Sequence, residues 1–242
     1  MRLDKLLAHA GYGTRKDVRQ LIKNKSVTVD GRVTTKSNVH VEPEKQLIKV
    51  DQERVHYKQY IYMMLNKPPN YVSATVDRYD RTVLDLLPDQ YRHFELSPVG
   101  RLDKDTEGLL LLTNDGQLNH ALTSPKREIF KTYYAKVDGC VTDLHVEQFK
   151  DGIILDDGYK TKKAYLCIEK SGGVSEIKLS ISEGKFHQVK RMFRAIGMEV
   201  LYLKRLSIEG LHLDESLRLG EMRELTTDEL DYALSLKKRR GE

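Results

Sequence analysis

Asp103 stands at a corner, Gly100-Arg101-Leu102-Asp103, shortly before an apolar run from Leu109 to Leu112. Four leucines closed by Asn114-Asp115-Gly116 predict a buried strand rather than a helix. The corner before such a strand is a common place to present a side chain into a cleft. Arg101 lies two residues back, so in extended backbone it shares a face with Asp103. The same pattern also describes a turn aspartate bonding local backbone amides.

Two further stretches carry candidates. Residues 183–194 hold Lys185, His187, Lys190, Arg191 and Arg194, and Val189, Phe193 and Ile196 fall at helical spacing behind them. On residue types alone, RNA contact and a solvated basic helix are equally open. No second ligand lies at a suitable spacing from His187, so it is not read as a metal ligand. Tyr133 belongs to an alternating stretch, 131–137, that predicts a strand. A tyrosine there is, in most unrelated proteins, half-buried packing, and its phenol can also accept or donate a proton. Tyr134 points to the other face. Asp156-Asp157-Gly158, between apolar runs, is read as a hairpin turn rather than a metal site. Only Cys140 and Cys167 are present, too few for a disulfide framework or a cysteine zinc site. No phosphate-cradling loop or dinucleotide fingerprint occurs.

The elements that must position these groups divide into two modules. Leu3, Leu6, Leu7 and Ala10 predict a short amphipathic helix over 2–10. Thr14, with Asp17 three residues on, caps a second helix whose apolar face is Val18, Leu21 and Ile22. Arg15, Lys16, Arg19 and Lys23 lie off that face as a basic stripe, which residue types alone leave open as a solvated surface. Val27–Val29, the turn Asp30-Gly31 and Val33 follow as a hairpin. Residues 51–60 read as a polar linker. Beyond it come a strand from Ile61, the stop Asn66-Lys67-Pro68-Pro69, a mobile stretch leading to a short helix over 82–87, and a helix over 117–122. A helix over 141–150, two strands within 153–168 and a strand over 177–181 come next. Strands over 201–208 and 217–225, a helix over 227–236 and a basic tail from Lys237 end the chain.

Charge divides the same way. Of 242 residues, 32% are charged and 39% apolar, with a formal net charge of +5. Residues 1–60 hold thirteen Lys/Arg against seven Asp/Glu, leaving 28 against 29 for the rest. A basic module beside a neutral one is the electrostatic footprint of a phosphate-backbone binder. No apolar run is long enough to span a membrane and the start lacks a secretory core, so a reducing cytoplasm and no membrane partner are expected.

Gly-Arg-Leu-Asp followed by Asp-Thr-x-Gly-Leu-Leu-Leu-Leu-Thr-x-Asp-Gly resembles the active-site motif of the RsuA-type pseudouridine synthases. Lys131-Thr132-Tyr133 resembles that family's second motif. Gly184-Lys-Phe-His-Gln-Val-Lys-Arg-Met192 resembles its third. Asn66-Lys67-Pro68 also fits, although Asn70 stands where the family usually has Gly. The amino-terminal helix pair and hairpin resemble the S4 RNA-binding domain. The resemblance implies an α+β chain: a small S4 (αL-type) domain over 1–58, then a pseudouridine synthase domain over 61–236 with a central mixed or antiparallel sheet flanked by helices.

It further implies isomerisation of an RNA uridine to pseudouridine with no cofactor and no metal. Asp103 is then the catalytic residue, Tyr133 contacts the base, and Lys190, rather than Arg191, pairs with the carboxylate. Arg101, Lys67, Lys131, Lys185, His187, Gln188 and Arg191 become RNA-binding candidates, with Arg15, Lys16, Arg19 and Lys23 on the S4 helix. Asp-x-Asp-Thr-x-Gly followed by Leu-Thr-Ser-Pro and Lys-Thr-Tyr, with the short tail, looks like the small-subunit branch. The expected substrate is therefore 16S rRNA in an assembling small subunit, met by a monomer. The alternatives are 23S rRNA, a non-catalytic RNA-binding assembly factor, or a hydrolase of free nucleosides.

Overall fold

The computed structural model describes residues 1–238. Two compact units result, Met1–Ile61 with Pro88–Glu95, and Tyr62–Leu87 with Leu96 onward.

In the first unit, α1 (Leu3–His9) and α2 (Arg15–Lys23) pack over a four-stranded antiparallel sheet, ordered β2-β1-β3-β4. Its strands are β1 (Val27–Val29), β2 (Arg32–Val33), β3 (Ile48–Val50) and β4 (Glu53–Arg54). Leu3, Leu6, Leu7, Val18 and Ile22 are buried together with Val27, Ile48 and Val50. The predicted capping box is present: Asp17 N–H donates to Thr14 Oγ1 at 3.3 Å, and Thr14 N–H to Asp17 Oδ2 at 2.9 Å. Thr14→Ala is expected to cost about 1 kcal/mol. Faster amide exchange confined to α2 in the full chain checks it; unchanged exchange there would mean that the cap contributes nothing.

Residues 51–60 are not simply a linker. Asp51 and Gln52, both at positive φ, turn β3 into β4, and Val55 is buried in the same core. Val50 ends β3 and Val55 follows β4, so the turn between them brings both into one core despite the polar composition of the stretch.

The second unit is built on a nine-stranded sheet, with main order β13-β5-β7-β11-β8-β10-β9. The strands are β5 (Tyr62–Lys67), β6 (Ser97–Pro98), β7 (Glu107–Thr113), β8 (Lys131–Asp138), β9 (Ala164–Lys170), β10 (Val174–Ile181), β11 (Glu199–Ile208), β12 (Leu211–His212) and β13 (Met222–Glu224). All neighbours are antiparallel except β7 and β11, which run parallel at Glu107–Lys204 and Gly108–Arg205. The helices are α3 (Gly116–Thr123), α4 (Asp143–Asp151), α5 (Gln188–Ala195) and α6 (Thr227–Lys238). Asp115 caps α3, its Oδ1 accepting from Gln117 and Leu118 N–H. The mixed sheet with flanking helices is the expected α+β architecture.

Four details differ from the sequence expectation. Residues 153–168 contain one regular strand, because Ile154 and Lys160 make only an isolated bridge around the Asp156-Asp157 turn. The final strand is short, since 217–221 are tied in a loop by Leu217 and Glu221 N–H bonds to Asp214 and Arg218 carbonyls. α5 starts only at Gln188, because His187 is left-handed at φ 49. α6 carries Lys237 and Lys238, while Arg239 and Arg240 of the predicted basic tail lie outside the described residues.

Candidate active site

The candidate site forms where the 99–106 loop enters β7. Ser73 holds the loop from one side: its Oγ accepts from Leu102 N–H at 3.0 Å and donates to Leu102 O at 2.9 Å. Leu102 is thereby kept buried. On the far side of Asp103, a turn closes with Thr106 N–H on Asp103 O at 3.1 Å. Lys67, fully buried at the end of β5, donates from Nζ to the carbonyls of Thr106 (2.8 Å), Pro68 (3.0 Å) and Lys104 (3.2 Å). Asn70 takes the left-handed conformation (φ 67) where Gly was usual, and its N–H donates to Lys104 O. Asp103 is thus the side chain left between two anchored points.

Its carboxylate is half-buried and faces α5. His187 Nε2 lies 3.7 Å from Oδ1, and Lys190 Nζ lies 3.9 Å from Oδ2. Tyr133, on β8 and buried, lines the same cavity of about 510 Å³, with Arg101, Lys185, Phe186 and Val72 around its walls. A carboxylate, a histidine and a phenol therefore share one open cleft, and Lys190 approaches the carboxylate from α5. Among the described residues no cluster of three metal-capable side chains occurs.

The predicted partner of Asp103, Lys190, is shared with a second carboxylate. Lys190 bonds chiefly to Asp105, at 2.6 Å to both oxygens, and only approaches Asp103. Asp105 lies on the outer side of the turn, where its exposed carboxylate meets the lysine first. Partial burial opposes ionisation of Asp105, but the Lys190 hydrogen bond and charge outweigh it, leaving the carboxyl below the ordinary range. Arg191 is excluded as the partner, because its guanidinium is held by Asp156 and Asp157, 2.7 Å from the latter.

Three candidates for RNA contact have structural work instead. Lys67 is an internal cross-brace; burial pushes its ammonium down to about 8, while the charges of Asp105 and Asp103 oppose that shift. Gln188 is buried, donating to Glu183 Oε1 at 2.8 Å and accepting from Lys185 N–H at 2.8 Å. Arg191 is committed to the 156–157 turn. Lys131 Nζ donates to Ile129 O and lines a separate recess. Arg101 is exposed at the cleft, and Lys185 lies 4.4 Å over the Tyr159 ring. On α2, Arg15, Lys16, Arg19 and Lys23 are all exposed, with Arg19 3.6 Å from the buried carboxylate of Asp4.

Two further side chains belong to the site. Phe186 is 75% exposed at the cleft mouth, stacked on His187 at 3.8 Å. Arg205 is buried inside β11 as the sheet neighbour of Tyr133. Alternation was the available signal: Leu203, Arg205 and Ser207 share the inward face.

Residues 61–195 match the family of RNA pseudouridylate synthases, and residues 1–48 match the S4 domain. The chain belongs to the RNA pseudouridylate synthase family, in its RsuA-type branch of rRNA-modifying enzymes. It is 48% identical to an uncharacterized RNA pseudouridine synthase of Bacillus subtilis, over 95% of this chain and 97% of that protein. Identity is 41% to ribosomal large subunit pseudouridine synthase B of the same organism, over 95% and 93%. It is 40% to ribosomal small subunit pseudouridine synthase A of Yersinia pestis, over 95% and 97%. A pseudouridylate synthase crystal structure superposes with a TM-score of 0.68 at 36% identity, covering 96% of this chain and 99% of that one.

Proposed function

We propose that this pseudouridine synthase acts on one uridine of 16S rRNA, working in the cytoplasm as a monomer on an assembling small subunit, with Asp103 as its catalytic carboxylate. The observation that carries the catalytic assignment is the placement of Asp103 in an open cleft shared with Tyr133 and faced by His187 and Lys190. The N1–C1′ bond of uridine breaks, the base turns, and C5 bonds to C1′. The hydrogen leaves C5 and N1 gains a proton, so no electrons are exchanged and no cofactor is consumed. Asp103 supplies negative charge as the glycosidic bond opens. Lys190 and buried Lys67 keep positive charge beside it. Tyr133 stacks on the uracil, which must leave its helix to reach the cleft at a cost of a few kcal/mol. Phosphate contacts by Arg15, Lys16, Arg19 and Lys23 help offset that cost.

The small-subunit assignment rests on Asp103-x-Asp105-Thr106-x-Gly108, Leu122-Thr-Ser-Pro125 and Lys131-Thr-Tyr133, since identities of 40% and 41% do not separate the branches. Transcripts of 16S and 23S rRNA tritiated at uridine C5, with partially assembled subunits beside them, provide the test. Release from 16S-containing substrate alone is expected. Release from 23S alone overturns the substrate and keeps the chemistry; tight binding with no release overturns the catalytic reading.

Lys67→Met tests how the loop is held. Losing three carbonyl contacts frees the 104–106 turn, and a displacement of about 1 Å in a reacting group costs roughly 100-fold in rate. Single-turnover tritium release is expected to fall by about that factor while rRNA affinity stays at the wild-type value. A loss of affinity with an unchanged rate would return Lys67 to the RNA-binding set.

A further inference from the structure

Beside the cleft lies a second recess of about 260 Å³ that the reaction outlined above leaves unused. It shares Tyr133, Arg101 and Gly184 with the cleft and is lined besides by Arg205, Lys131, Glu183 and Ser124. Arg205 is only 2% exposed, yet its guanidinium makes a single hydrogen bond among the described residues, from Nε to Leu109 O at 2.7 Å. Its Nη2 is buried without a partner. Neither Arg205 nor Lys131 has an ion pair among the described residues, and Lys131 Nζ reaches only the Ile129 carbonyl.

Buried guanidinium groups are ordinarily paired with a carboxylate or another anion, because an unmet donor and an uncompensated charge are both costly. Here two cations line one recess, and neither nearby carboxylate serves them. Glu183 is taken by Tyr159 Oη, Lys162 N–H and Gln188 Nε2. Glu209 accepts from Phe130 N–H and offsets the charge on Lys131 only in part. A uracil has its place on the cleft side of Tyr133 and, being neutral, does not call for two cations. An oxyanion does.

We propose that the Arg205–Lys131 recess receives a backbone phosphate of the substrate RNA beside the extruded uridine. This inference rests on the chain acting on RNA. Both are positioning residues: by holding the strand next to the target nucleotide they set where its sugar stands relative to Asp103. Arg101, exposed at the junction of the two cavities, borders the path of the strand between them.

Burial, and then the neighbouring charge of Arg205, push Lys131 down to about 8, with Glu209 opposing. Charged Lys131 is the form that binds a phosphate, so its contact is present below about 8 and lost as pH rises through that value. Bound phosphate moves the window upward. The groups facing Lys131 are Arg205 and Glu209, with Arg101, Glu183 and Tyr133 in the same recess.

The test compares full-length wild type, Lys131→Gln and Arg205→Lys for rRNA affinity across a salt series at pH 7 and pH 9. Each variant is first checked for an unchanged thermal transition. Should Arg205→Lys fail to fold, Lys131→Gln alone decides. Loss of one phosphate contact makes the slope of log affinity against log salt shallower by about 1. Lys131→Gln is expected to show that change at pH 7 and to lose the extra weakening that wild type shows at pH 9. A folded Lys131→Gln with wild-type slope and pH response, from a wild type that modifies rRNA, overturns the inference alone. A wild type that neither binds nor modifies rRNA overturns the proposed function and this inference with it.

Discussion

Replacing Asp103 with asparagine is expected to abolish C5 tritium release, lowering the single-turnover rate by roughly 10⁴-fold or more. The substitution keeps the size of the side chain and removes the charge. Neither contact of the carboxylate is a short hydrogen bond, at 3.7 Å to His187 and 3.9 Å to Lys190, so little of the fold depends on it. Thermal stability and rRNA affinity should therefore match wild type, which separates a chemical defect from a structural one. Asp105→Asn is the comparator, because Asp105 is the carboxylate that Lys190 grips most closely. Retention of more than about one hundredth of the rate in Asp103→Asn, with a large loss in Asp105→Asn, would move the catalytic role two residues along the loop.

Gly108→Ala is expected to have the largest effect on stability. Gly108 sits at φ +102 where β7 meets β11. An added Cβ would stand 2.2 Å from Arg205 O and 2.7 Å from Arg205 N. Both are rigid backbone atoms, so the strands must separate. Positive-φ strain and overpacking each contribute on the order of 1–3 kcal/mol, together about 4 kcal/mol. That is a large share of the roughly 5–15 kcal/mol by which domains are stable, and corresponds to a fall of about 10 °C in Tm. The strain also falls where Asp103's loop enters β7 and where Arg205 joins β11, so activity should fail with stability. Gly116→Ala is the control: it begins α3 without a positive φ and has open space around its missing Cβ. Its Tm should stay within a few degrees of wild type. An equal Tm for Gly108→Ala would mean that β7 and β11 tolerate separation.

The short-range features were legible in sequence because their physics is local. A Thr14–Asp17 box, an Asp30-Gly31 turn, an Asp115 cap and four leucines before a polar stop each depend on neighbours a few residues away. The corner at Asp103 and the opposed faces of Tyr133 and Tyr134 followed from turn chemistry and strand alternation. Tyr134 indeed turns from the cleft and donates to Glu176.

Pairing across the sheet was decided only by tertiary structure. Lys67 and Lys190 are both lysines next to motif residues, yet one is sealed among three carbonyls and the other reaches out to Asp105. Composition cannot distinguish them, because burial depends on β5 lying beside β7, more than forty residues later in the chain. Arg191 and Asp156, 35 residues apart, also meet only through the fold. The same holds for Arg205, whose unmet guanidinium becomes visible only when β8 places Tyr133 and Lys131 beside it. Sequence determined which chemical groups this protein owns and the local turns that present them. Long-range strand pairing determined which charges are neutralised, which are spent on the scaffold, and which remain available to RNA.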